Sequence, residues 1–209
     1  MVSLGGNAII RRGQKGSIEE QFKNADEACA VIAALSARDS APLIVTHGNG
    51  PIVGNIVIRN EAASAVVAPM PLFIADADSI GGGGFMLQLS IRNHLRKTRS
   101  DRDVATLVTQ VVVDPEDPAF SDPSKPIGPF YSEKEARSIE KERGWVMKED
   151  SQRGFRRVVP SPRPRRIVEA DVVKRLSADG VIVIAAGGGG VPVVEDFSGM
   201  FRGIDAVID

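Results

Sequence analysis

Three short glycine runs mark places where this sequence could hold an anion: Gly5, Gly6 and Asn7; Gly48, Asn49 and Gly50; and Gly187, Gly188, Gly189 and Gly190. Each follows an apolar, largely β-branched stretch, "VSL", "LIVTH" and "VIVIAA". Glycine lets a backbone turn its N–H groups toward one point and lets an anion approach closely, and a helix that follows adds its dipole. Phosphate is the natural occupant. One such loop reads equally well as a tight turn, but three at the ends of successive strands would line a single crevice of an open α/β sheet. None has the Walker A spacing, which needs Lys and then Ser or Thr after the last glycine, and none has the dinucleotide spacing. A fourth run, Gly81 to Gly84, follows no strand and interrupts the start of a helix, so packing is its expected role.

Lys125 lies in "SKPIGPF", between prolines that stiffen a loop. Alone it reads as a solvated lysine; held against three anion-binding loops it is the cation that phosphoryl transfer requires. His47, just before Gly48, is expected to hold its loop through hydrogen bonds, and His94, in "RNHLRK", to sit on a helix surface. Two histidines and one cysteine at unrelated spacings give no protein-bound metal site. Cys29 lies among alanines on an apolar face, with no basic neighbour to lower its pKa, and reads as core. The run "RGFRRVVPSPRPRR" holds six arginines in fourteen residues. With Phe155 its only interleaved aromatic and acidic residues between 114 and 122 offsetting it, a solvated face is expected over a nucleic-acid surface.

The elements that must position these residues alternate between strand and helix. "SIEEQFKNADEACAVIAALSARD" places Ile18, Phe22, Ala25, Cys29, Ile32 and Leu35 three or four apart, and Ser17 with Glu20 fits a capping box. "LIVTHGNGPIVGNIVIRNEAAS" reads as strand, glycine loop and helix, with Pro51 suited to the first turn. A helix over "FMLQLSIRNHLRKT", one buried strand over "VATLVTQVVVD", a helix over "EADVVKRLSADG" and a buried strand over "VIVIAA" complete the pattern. The expected fold is α/β, a mainly parallel sheet flanked by helices. Between 114 and 161 the texture changes to proline-rich segments, a nearly all-polar helix and short strands, read as an inserted, protruding subdomain on a core of residues 1–113 and 162–209.

At 209 residues the chain can bury a core, and 43% apolar with 25% charged residues is ordinary for a globular protein. A net charge of −1 points to a small ligand and away from polyanions. With one cysteine, no leader pattern and no apolar run of roughly 20 residues, a reducing cytoplasmic setting without membrane insertion is expected.

Taken together, "SLGGNAI", "RRGQKGS", "VTHGNGPIVGN", "TQVVVDPEDPAF", "KPIGPFYSEKEA", "RRVVPSPRP", "VIVIAAGGGGVPVV" and "GIDAVID" resemble the carbamate kinases of the amino-acid kinase superfamily, in the same order along nearly the whole chain. The resemblance implies an amino-acid kinase sandwich and reversible phosphoryl transfer between ATP and carbamate, giving ADP and carbamoyl phosphate, with Mg²⁺ on the nucleotide phosphates and a homodimer. By the same resemblance Gly5, Gly6 and Asn7 bind the transferring phosphoryl group, and Gly48, Asn49 and Gly50 hold the acceptor side. Lys125 stabilises the transition state, Gly187 to Gly190 border the cleft, and Asp209 orients a catalytic lysine. In the family that lysine follows directly, ahead of the part that holds adenine and ribose. This sequence stops at Asp209, so the expectation is a chain without its nucleotide-binding C-terminal part, whose activity depends on whether that part is supplied elsewhere. The competing expectation is a noncatalytic remnant that binds a small anion or serves as an association module. "SIGGGGF" departs from the family, which carries bulkier residues there.

Overall fold

A computed structural model of the chain describes residues 1–11, 13–38, 41–150 and 153–208, with Pro51 described by its backbone alone. The elements run β1 (Val2–Leu4), α1 (Ile18–Arg38), β2 (Leu43–His47), α2 (Gly50–Ala63), α3 (Leu72–Lys97), β3 (Val104–Thr106), β4 (Gln110–Val113), β5 (Lys125–Tyr131), α4 (Glu133–Arg143), β6 (Val146–Glu149), β7 (Phe155–Val159), β8 (Pro164–Ile167), α5 (Ala170–Ala178), β9 (Ile182–Ile184), β10 (Val191–Glu195) and β11 (Phe201–Gly203). A first sheet, ordered β1-β2-β9-β3, is parallel throughout, with Leu4 level with His47 and Val45 level with Ile184. The glycine loops after β1, β2 and β9 therefore leave from the same edge of one sheet.

Helices cover both faces of this sheet. Ala25, Cys29 and Ile32 of α1 and Met86, Leu87, Ile91 and Leu95 of α3 pack on Val45, Val104, Ile182 and Ile184, while Val173 of α5 packs on Val183 and Ala185 from the other side. Ser17 and Glu20 form the anticipated reciprocal cap: the Glu20 N–H donates to the Ser17 hydroxyl and the Ser17 N–H to the Glu20 carboxylate. Burial pushes the Cys29 thiol up to about 12, as suits a core residue. His94 departs from expectation: instead of a surface position, its side chain is 15% exposed and its Nε2 lies 2.9 Å from Asp26 on α1, joining the two helices.

Two elements differ from the periodicity reading. "VATLVTQVVVD" is two strands, not one: β3 pairs with β9 in the first sheet, and β4 pairs parallel with β10 in a second sheet ordered β11-β10-β4-β8. The chain changes sheets at Thr109, whose hydroxyl accepts from the Ala186 N–H at 3.0 Å. The helix expected from Phe85 begins instead at Leu72, so Gly81 to Gly84 lie inside it. A Cβ on Gly84 would come 2.2 Å from the Thr106 methyl carbon, and one on Gly83 would come 3.0 Å from His47 Cε1. Close approach of helix to sheet offsets the roughly 1 kcal/mol per glycine that an exposed helix would lose.

A third, antiparallel sheet, β5-β7-β6, carries α4, which has a Ser132–Glu135 capping box and a left-handed Gly144 at its end. "KPIGPFY" is thus a strand despite its prolines, because β5 is an edge strand, where a missing N–H is tolerated. Ile127 and Val159 of this sheet bury against Val53 and Val57 of α2, and the Tyr131 hydroxyl donates to Glu61 of α2 at 2.6 Å. Most of the arginine-rich run is engaged here. Arg153 and Arg156 lie over Phe130, Arg157 lies over Trp145, and Arg165 and Arg166 pair with Asp114 and Glu195. The aromatics come from neighbouring strands and loops, so the run's own sequence hides them. Among the described residues, no helix is long and apolar enough to cross a membrane.

Candidate functional site

The three loops are stitched together by backbone bonds at the sheet edge. The Gly48 N–H donates to the Leu4 carbonyl at 2.8 Å, and the Ala185 N–H donates to the Val45 carbonyl at 2.9 Å. Thr46 completes the set, its hydroxyl donating to the Ala186 carbonyl at 2.8 Å. After β1 the chain coils into a short 3₁₀ turn, Gly6–Ala8, in which the Ala8 N–H returns to the Gly5 carbonyl. After β2, Asn49 caps α2 through its backbone, accepting from Ile52 and Val53 and leaving the first N–H of the helix for the cleft. After β9, Gly188, Gly189 and Gly190 all have positive φ, a path that only glycine follows without strain.

Above these loops lies a cleft of about 730 Å³, with Gly5, Gly48, Asn49, Gly50, Gly188 and Gly189 in its wall and Lys125 reaching it from the start of β5. Its charged lining side chains among the described residues are Lys125 and Lys174, the latter 3.4 Å from Asp171 one turn earlier on α5, and no carboxylate is among the lining residues, which suits an anion. Apolar side chains of Ile44, Ile167, Val173 and Ile208 supply much of the remaining wall, with polar Ser3, Thr46 and Thr109 among them. Gly6 and the exposed Asn7 sit in the turn behind Gly5 and do not line the cleft; nor do Gly187, which is buried, and Gly190, packed on Thr109 and Val111. Asp209 lies outside the described residues.

Two side chains at the end of β2 support the loops from beneath. His47 is 2% exposed, and its ring is wedged so that a Cβ on Gly187 would lie 2.5 Å from Nε2. Its Nδ1 bonds the Gly48 carbonyl at 3.3 Å, the loop-holding hydrogen bond expected of it, while Nε2 has no partner among the described residues and meets the loops by packing. Burial lowers its pKa and keeps the ring neutral. The Asn49 side chain, 4% exposed, donates to the Ser79 hydroxyl at 2.6 Å. Sequence reasoning passed over Ser79, Thr109, Lys174 and Asp205. Lys174 alone carried a signal, one helical turn beyond Ala170 on the amphipathic α5. Among the described residues no group of three or more His, Cys, Asp or Glu side chains is placed to hold a metal.

The model of the amino acid kinase family matches residues 1–203. The carbamate kinase of Pyrococcus horikoshii is 48% identical over the whole of this chain, which covers 67% of that protein, and the carbamate kinase of Clostridium perfringens is 44% identical with the same shares. The structure of carbamate kinase from Giardia lamblia bound to AMP-PNP superposes with a TM-score of 0.91 at 40% identity, over 100% of this chain and 66% of that one. The chain thus spans about two thirds of the length of these relatives, and within that span it shares their α/β architecture. From its matched residues and its identity to these kinases, the chain belongs to the amino acid kinase family.

Proposed function

We propose that this cleft serves the phosphoryl transfer of a carbamate kinase, in which ATP and carbamate interconvert with ADP and carbamoyl phosphate. The observation that carries the reading is the convergence of three glycine loops on one cleft whose charged lining is cationic. Gly5, Gly6 and Asn7 form the turn that receives the transferring phosphoryl group, with Gly5 in contact and the other two shaping the turn. Gly48, Asn49 and Gly50 hold the acceptor through the backbone, since the Asn49 amide nitrogen is engaged by Ser79. Lys125 neutralises charge on the moving group, and Gly188 and Gly189 close the wall, with Gly187 and Gly190 holding the loop behind them. Asp209 stands, by the family resemblance, where an aspartate orients the catalytic lysine. Both substrates bring their own reactive atoms, so the protein needs no covalent nucleophile; its work is alignment and charge neutralisation.

Mg²⁺ belongs in this reading with the nucleotide phosphates, because the described residues offer it no carboxylate cluster, and no step is assigned to it. A cytoplasmic homodimer, with carbamate and carbamoyl phosphate as small-molecule substrates and residues 114–161 as a subdomain carrying Lys125, completes the proposal. The test is ATP formation from ADP and carbamoyl phosphate, with calorimetry alongside. Turnover supports the reading. Carbamoyl phosphate binding without turnover assigns the chain to noncatalytic anion binding, and absence of both overturns the reading.

A further inference from the structure

Ser79 is fully buried on the face of α3 that meets the end of β2. Its hydroxyl donates to the Asp76 backbone carbonyl at 2.7 Å, which directs a lone pair outward, and that lone pair receives the Asn49 amide at 2.6 Å. On its other side the Asn49 amide lies so close to Gly188 that a Cβ there would fall 2.1 Å from Oδ1 and 2.2 Å from Nδ2. Two residues earlier, the His47 ring is held in the same manner, between Gly83 of α3 and Gly187. Two side chains from the second glycine loop are thus clamped between α3 and the third. The His47 ring bonds only within its own loop, to the Gly48 carbonyl, and meets α3 and the third loop by packing, whereas Asn49 has a hydrogen bond to α3 that fixes its rotamer.

We propose that Ser79 is a positioning residue for the anion cradle: its hydroxyl pins the Asn49 amide beneath Gly188 and so sets the separation of the second and third glycine loops. The inference rests on reading the cleft as a phosphoryl-transfer site, where a misplacement of about 1 Å costs on the order of 100-fold in rate. Ser79 does not line the cleft and touches no reacting atom.

The experiment compares wild type, Ser79→Ala, Ser79→Cys, Asn49→Ala and the Ser79→Ala/Asn49→Ala double variant. One readout is amide hydrogen exchange at Gly189 and Gly190, whose N–H groups bond to the Ala186 and Gly187 carbonyls at 3.1 and 2.9 Å. The other is the kcat and KM of ATP formation from ADP and carbamoyl phosphate. Ser79→Ala is expected to speed exchange at both glycines by roughly 10-fold or more and to lower kcat by roughly 10- to 100-fold with KM within about threefold. Ser79→Cys should fall between, and it decides the matter if the alanine variant does not fold. The double variant should be no worse than the worse single, because the two residues act as one unit. Unchanged exchange in Ser79→Ala, or additive effects in the double variant, overturns the proposal. Exchange needs no turnover, so an inactive wild type would sink the phosphoryl-transfer reading while exchange still decides this one.

Discussion

Asp205 and Asp76 bring two carboxyl groups to the first turns of α3 on unequal terms: Asp205 accepts the Leu72 N–H at 2.9 Å, whereas Asp76, 2% exposed, has no partner for either oxygen among the described residues. Burial first, and the Asp205 charge second, push the Asp76 carboxyl up to about 7. The folded protein therefore binds this proton more tightly than the unfolded chain, and the group's cost to stability is absent below about pH 4, grows through neutrality and is full above about pH 7. His47, held neutral, tilts the curve the other way below its ordinary value, so a difference between variants is the cleaner measure. Asp76→Asn is expected to raise Tm at pH 8, by up to about 4 kcal/mol of stability, with the gain fading toward pH 5. Thermal melts across that range check it; a gain equal at both ends would refute the ionisation argument.

Lys125 opens β5, with Val159 opposite it, and reaches the cleft from a different sheet than the glycine loops. Lys125→Ala is expected to lower kcat by roughly 100- to 1,000-fold while Tm stays within a few degrees, the pattern of a group that acts on developing charge. Steady-state kinetics with melts on the same samples test it, and a loss confined to KM would instead make Lys125 a general anion contact.

The parallel first sheet and its three loops were legible in the sequence because each strand and its glycine turn are neighbours in the chain. What escaped depends on contacts far apart. Whether 104–113 is one strand or two turns on Thr109 meeting Ala186, 77 positions away, and no local period reports it. The early start of α3 was hidden by Gly81 to Gly84, of which Gly83 and Gly84 are held in the helix by close packing on His47 and Thr106. Lys125 read as a loop residue because proline argues against a central strand, and nothing local marks an edge strand. Within the site, Gly5, Gly48 and Gly188 could be named from composition and spacing, but Ser79 and Asp205 act across folds of the chain and have no motif.

Gly48 offers a test of the cradle that avoids its side chains. A Cβ there would stand 2.9 Å from the Gly6 nitrogen and 3.4 Å from its Cα, both backbone atoms that cannot swing aside. Gly48→Ala is therefore expected to force the first and second loops apart, costing roughly 1–3 kcal/mol of stability and at least about tenfold in carbamoyl phosphate affinity. Gly54→Ala, where nothing lies within 4 Å, is the control and should leave affinity unchanged. Calorimetric titration of both variants decides, and equal affinities would detach Gly48 from the site.

Tyr131 ties the strand that begins at Lys125 to Glu61 of α2, the helix whose first turn borders the cleft, through a 2.6 Å bond. It is the sole tyrosine of the chain, so phenolate absorbance reports it alone. Burial, then the hydrogen bond and charge of Glu61, raise its pKa above the ordinary value of 10.0. The folded state keeps the proton that the unfolded chain gives up, so this pair's contribution is complete below about pH 10 and is lost as pH rises beyond it. Tyr131→Phe should lower stability by roughly 1.5–3 kcal/mol at pH 7, the range for a bond to a charged acceptor. Glu61→Gln should move the phenolate midpoint back toward about pH 10. A midpoint in Glu61→Gln that matches wild type would leave burial as the whole cause and remove the tie between the Lys125 strand and α2.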